Sequence, residues 1–181
     1  MGSEVNFNND ICYNVNIMES DKNLEKINIY KQAEFLKNKY EDIKDFVLAV
    51  GDFIHKHGYS VENRYRPQSI IESRFMPINE AFEKGVLSCG AIANISADMI
   101  RHVGLQVQLI HGELIDSVDH AWISVFDKDK DVWVDFDLTS DNPLDMTNHT
   151  EKKRVDSWEE IRGVILEDHR TYEERNRSKV K

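Results

Sequence analysis

The tightest constraint on the fold is a pair of short segments that read as one β-hairpin. His120-Ala121-Trp122-Ile123-Ser124-Val125-Phe126 and Asp131-Val132-Trp133-Val134-Asp135-Phe136-Asp137 are rich in β-branched and aromatic residues, and Asp127-Lys128-Asp129-Lys130 separates them. A turn centred between Lys128 and Asp129 pairs His120 with Asp137 and Trp122 with Asp135. Directly opposed side chains in an antiparallel ladder have Cβ atoms about 4.5–5.5 Å apart, so the Asp137 carboxylate can accept the Nδ1–H of His120. Residues two apart share a face, which makes Asp135 a rival to Asp137. A slip of one residue would put Phe136 or Leu138 opposite the imidazole, so the pairing depends on this turn.

Upstream, Gly85-Val86-Leu87-Ser88-Cys89-Gly90-Ala91 surrounds a lone thiol with small residues just where a helical apolar pattern begins. Ile92, Ile95, Met99 and Val103 recur at spacings of three and four, Ala91, Ala93, Ala97 and Ile100 widen the stripe, and Gly104 supplies a stop. Cys89 is therefore predicted at a helix N-terminus, where unpaired N–H groups and the helix dipole stabilise a thiolate. Leu105, Val107 and Leu109 then alternate with glutamines as a half-buried strand over 105–111, and residues 112–119 connect it to the hairpin. His111, at the end of that strand, is the rival to His120 as a base. A thiol at a helix start, an imidazole to take its proton and a carboxylate to orient the imidazole form the triad of nucleophilic acyl chemistry.

The order Ser88-Cys89-Gly90, His120-Ala121-Trp122 and Trp133-Val134-Asp135-Phe136-Asp137-Leu138-Thr139 resembles the transglutaminase-like superfamily over about residues 77–143. Leu138 stands where that family often has proline. The resemblance implies an α+β, papain-like core: a helix bearing the Cys packed on an antiparallel sheet bearing the His and the Asp, here with extra N-terminal helices and a C-terminal helix. It implies Cys89, His120 and Asp137 as the catalytic residues and a second oxyanion donor upstream of the Cys, for which Gln68 and Asn79 are candidates. Superfamily members include cross-linking transferases, peptide N-glycanases, cysteine peptidases and inactive proteins, so fold and triad are implied rather than a substrate. The expected function is thiol-dependent acyl transfer, first as hydrolysis of an amide or peptide bond through a thioester. Transamidation to an amine and a silent binding module are the alternatives.

A length of 181 residues fits one domain over 1–181. The net charge of −10 argues against nucleic acid and anionic membrane as partners, leaving a peptide, a protein or a small amide as the expected substrate. Cys12 and Cys89 lie in unlike contexts and suggest neither a disulfide framework nor a metal site, and no cofactor is expected. Residues 127–131 lack the central Gly and terminal Glu of a calcium loop. With no secretory pattern at the start and no apolar run of membrane-spanning length, the expected location is the cytoplasm.

Elsewhere, alternation over 11–17 suggests a short strand carrying Cys12. Ser20 and Asp21 can cap a helix carrying Leu24, Ile27 and Tyr30. Ile43, Phe46, Val47, Val50, Phe53 and Ile54 form a stripe that His57-Gly58 is expected to close, with His55 and His57 near the negative end of the helix dipole. Residues 59–77 read as loop, with Arg64, Arg66 and Arg74 as solvated partners for an acidic surface, before a short helix over 78–84. Past Pro143 the chain turns polar until Ser157-Trp158-Glu159-Glu160 offers a capping box for a final helix expected to fray over its last ten residues.

Overall fold

The structure, a computed structural model, describes residues 28–115 and 118–179, with side chains through Arg170. The segment 11–17, Cys12 and the Ser20/Asp21 cap lie outside the described residues. Described structure begins at Asn28, whose Oδ1 accepts the backbone N–H groups of Tyr30 and Lys31 and so caps α1 (Ile29–Lys39). Asp42 caps α2 (Ile43–Ser60) in the same manner. This helix does not close at Gly58: a Cβ there would come within 2.5 Å of the Leu87 side chain, so the glycine admits a close contact rather than ending the helix.

Residues 59–77 also hold more structure than their two prolines suggest. Ser69 caps α3 (Ile70–Phe75) by accepting from Glu72 N, and Glu72 in turn accepts from Gln68 N. After α4 (Ile78–Glu83) comes α5 (Cys89–His102), followed by Gly104 at φ 81°. Ala91, Ile92, Ala93, Ile95, Ala97, Met99 and Ile100 are all buried, which marks α5 as the central helix, enclosed by α1, α2 and α4 on one side and a sheet on the other.

The sheet is antiparallel throughout, in the order β3-β2-β1-β4, with β1 at Val107–Leu114, β2 at Asp119–Asp127, β3 at Val132–Phe136 and β4 at His149–Val155. Val107 and Leu109 of β1, Ala121, Ile123 and Val125 of β2, and Phe136 belong to the same buried core as α5. Each of the Val, Leu, Ile and Phe side chains among them contributes about 1.5–3 kcal/mol when fully buried. Strand β4 carries Glu151, Lys152, Lys153 and Arg154, and it has no apolar alternation because it lies on the sheet edge, where charge discourages pairing with another chain. Ser157 and Glu160 form the expected capping box, but on a 3-10 turn (Trp158–Ile161) that leads into α6 (Arg162–Lys179). That last helix continues to Lys179, into the last ten residues expected to fray. Among the described residues no helix is long and apolar enough to cross a membrane.

The hairpin differs from expectation by one residue at its turn. Residues 128–131 form a four-residue loop, with Asp127 opposite Val132 and Ser124 opposite Asp135. The Asp127 carboxylate accepts Asp129 N, Lys130 N and Lys130 Nζ, and Asp131 adopts a left-handed φ of 53°, which together fix the turn at this position. Moving the centre by one residue shifts each pairing by two, so which residues share a face is preserved. Continued past Phe136, the ladder would set His120 opposite Thr139, with Asp137 on the diagonal.

Candidate active site

Cys89 is the first residue of α5 and is half-buried. The first intrahelical bond runs from Ile92 N to Ser88 O, so the N–H groups of Cys89, Gly90 and Ala91 have no partner within the helix. Helix α3 presses against this end. A Cβ on Gly90 would lie 2.7 Å from both Arg74 Cγ and Ser73 Oγ, Ser73 Oγ and Ser88 Oγ are hydrogen-bonded at 2.7 Å, and Asn94 donates to the carbonyl of Arg74 at 2.6 Å.

His120 meets Asp137 through Nε2, at 2.9 Å from Oδ2, and not through Nδ1 as the direct pairing predicted. The diagonal relation explains the exchange, because Nε2 is the ring nitrogen farther from Cβ and reaches across. Nδ1 is then the nitrogen left for the Cys89 thiol. Burial alone would lower the His120 pKa, but the bond to Asp137 and the bond and charge of Cys89 outweigh it and raise it to about 9. Burial would likewise raise the Asp137 pKa; hydrogen bonds from His120 and Thr139 and the His120 charge instead hold it well below the ordinary carboxylate range.

Every acceptor position of Asp137 is used. Oδ1 accepts Thr139 N at 3.0 Å and Thr139 Oγ1, while Oδ2 accepts both His120 and Nε2 of His149, the latter at 3.0 Å. Thr139 thus braces the acid, and its hydroxyl also lies 3.4 Å from His120 Nε2. His149 opens β4, and its ring stands edge-on to Trp122 with centroids 5.0 Å apart. Trp122 in turn lies over Gly112, where a Cβ would come within 2.4 Å of the indole and 2.3 Å of Thr150 O.

Neither rival occupies the site. Asp135 accepts from Ser124 Oγ and pairs with Arg154. His111 lies within β1, not at its end, and is fully buried. Its Nδ1 faces Arg74 Nη1 at 2.8 Å and its Nε2 faces Asp168 at 3.0 Å; burial first and the Arg74 charge second hold its pKa below the ordinary value. Arg74 is no solvated surface cation. It is 2% exposed, and its Nη2 donates to Asp119 at 2.6 Å and to the carbonyl of His120 at 3.0 Å. Of the two suggested oxyanion donors, Gln68 spends its side-chain amide on Arg66 O at 2.9 Å.

The sequence model of the transglutaminase-like superfamily matches residues 31–138, more than half of the chain. The chain belongs to the transglutaminase-like superfamily. No curated protein matches the sequence of this superfamily member. Its structure is similar to a proposed cysteine protease of Cytophaga hutchinsonii, with a TM-score of 0.55 at 17% identity, covering 71% of this chain and 42% of the other. It is also similar to a TGase (TM-score 0.48, 19% identity, 69% and 33% covered) and to EGTA-treated LapG of Legionella pneumophila (0.49, 13%, 70% and 79%). The chain spans less than half the length of the first two. Helices packed on a four-stranded antiparallel sheet agree with the α+β papain-like core of this superfamily.

Two participants in the site of this transglutaminase-like chain were missed in the sequence, and the first carries no local signal. His149 follows Asp137 by an irregular connection that no periodicity fixes. Arg74 had a faint one: Ser69-Ile70-Ile71-Glu72 is a capping-box pattern that predicts a helix, and a helix there leaves Arg74 on a face that packs inward.

Proposed function

We propose that the chain is a thiol-dependent acyl-transfer enzyme in which Cys89 is the nucleophile, His120 the acid–base and Asp137 the orienting acid. Its first reaction is hydrolysis of an amide or peptide bond. The observation that carries this reading is the 2.9 Å bond between His120 Nε2 and Asp137, which leaves Nδ1 as the ring nitrogen for the thiol at the head of α5, a group near enough to raise the His120 pKa.

His120 takes the proton of the Cys89 thiol, and its raised pKa favours the imidazolium so formed. The sulfur attacks the acyl carbonyl, and the oxygen that gains the charge is met by the Cys89 N–H at the head of α5. Nδ1–H of His120 then passes its proton to the departing amine as the C–N bond breaks, leaving a thioester. Neutral His120 takes a proton from water as it attacks that thioester, the carboxylic acid is released, and the thiolate–imidazolium pair is restored. Asp137 keeps the ring oriented and stabilises its charged form in both halves.

The substrate class proposed is a peptide, protein or small amide, and a free nucleophilic thiol suits a reducing compartment such as the cytoplasm. Mass spectrometry of candidate peptides incubated with wild type and Cys89→Ala, with and without a primary amine, tests the reading. Cleavage or deamidation by wild type alone supports hydrolysis, amine incorporation assigns transamidation, and turnover by Cys89→Ala contradicts the thiol mechanism.

A further inference from the structure

We propose that His120, Asp137 and His149 together bind one zinc-class transition-metal ion, which silences the site by taking the Nε2 of His120. The three side chains arrive from β2, from the turn after β3 and from the start of β4. They are 10%, 5% and 6% exposed, and one nitrogen or oxygen from each lies within 4.8 Å of the other two. Two imidazole nitrogens and one carboxylate oxygen are the donor set of zinc and its neighbours, whereas calcium and magnesium call for oxygen ligands. Ligands about 2.0–2.1 Å from a tetrahedral ion stand roughly 3.3 Å apart. The contacts of 2.9 and 3.0 Å around Asp137 Oδ2 need to open by only a few tenths of an ångström.

His149 is the residue that makes this more than a triad. One imidazole suffices to be oriented by Asp137, yet a second is buried on the same oxygen, and its Nδ1 has no hydrogen-bond partner among the described residues. A shared hydrogen bond is a weak return for burying a ring in this way; coordination of a cation is a strong one. The second convergence of ligand-type side chains, His111, Asp119 and Asp168, lacks this character, because the Arg74 guanidinium, bonded to both His111 and Asp119, already supplies a fixed cation there.

Coordination through Nε2 would fix the remaining proton of His120 on Nδ1. That imidazole could no longer accept the Cys89 proton, and Asp137 would be committed to the ion instead of the ring. The silencing half of the proposal rests on the reading of His120 as the acid–base; the binding half does not.

Calorimetric titration of ZnCl2 into the untagged, EDTA-stripped full chain tests binding without reference to activity. One equivalent is expected for wild type, with at least a tenfold loss of affinity in His149→Gln, recovery in His149→Cys, which restores a zinc ligand, and no change in Asp168→Asn. Absence of saturable binding, or undiminished binding in His149→Gln with a native circular dichroism spectrum, overturns the site. Zinc is further expected to slow iodoacetamide labelling of Cys89 at least tenfold in wild type, reversibly by EDTA. Bound zinc with labelling unchanged overturns the silencing while leaving the binding site intact, and a chain without amidase activity still gives the same isotherm.

Discussion

Arg74 donates from Nη2 to the backbone carbonyl of His120 at 3.0 Å, from a position that is 2% exposed. The same guanidinium binds Asp119 and His111 and lies over the Trp158 ring, 4.9 Å from its centroid. It therefore ties α3, which abuts the start of α5, to the strand that carries the imidazole. Removing it leaves a half-buried carboxylate and a buried carbonyl without this donor. Arg74→Met is expected to cost about 3–5 kcal/mol in urea unfolding. Arg74→Lys should recover only part of this, since a point cation does not span three acceptors. A loss below about 1 kcal/mol would contradict the assignment.

Asp137 and Asp135 share a sheet face but not their partners. Asp137→Asn is expected to lower kcat/KM by at least about a hundredfold. Asp135→Asn disturbs only the Ser124 and Arg154 contacts and should stay within a few-fold. The reverse ranking in a side-by-side assay would exclude Asp137 as the orienting acid.

The pH dependence of stability follows from opposite shifts. His120 is raised from an ordinary value of 6.5 to about 9, so its contribution is complete below about 6.5 and is lost as pH climbs through 9. Asp137 is depressed, so its contribution is complete above the ordinary carboxylate range and is lost as pH falls toward its native value. The unfolding free energy should decline between about pH 6.5 and 9 in wild type, level off above that range, and decline less over it in His120→Gln. Identical alkaline slopes in the two proteins would show that His120 is not held as described.

Gly90 has no room for a methyl group between α5 and α3, with Arg74 Cγ and Ser73 Oγ both 2.7 Å from the site of a Cβ. Gly90→Ala is expected to cost about 1–3 kcal/mol and to push the first turn of α5, and Cys89 with it, out of line. Thermal unfolding and the rate of Cys89 alkylation should both register the change. An alanine variant with wild-type values in both would mean that α3 yields without cost.

Much of this architecture was legible because it rests on local rules. The stripe from Ile92 to Ile100, the alternation on either side of Asp127 and the Ser157/Glu160 box each state their structure within a few residues. The hairpin turn was misplaced by one residue, since its position is set by the Asp127 side chain and the left-handed Asp131, which hydrophobic pattern does not report. Because that error moves each pairing by two, the face shared by His120 and Asp137 survived, while the ring nitrogen involved did not. Strand β4 was hidden because an edge strand of Glu, Lys and Arg has no apolar period, and with it went His149. Arg74 was misread because burial of a cation is decided by Asp119, His111 and the His120 carbonyl, all distant in sequence.

The most direct test of the central claim is alkylation by limiting iodoacetamide at about pH 6, with the labelled cysteine identified by mass spectrometry in wild type and in His120→Ala. The account predicts that wild type is modified at Cys89 in preference to Cys12 and that the preference is lost in His120→Ala. Equal labelling of both cysteines in wild type, or selectivity for Cys89 that persists without the imidazole, would contradict it.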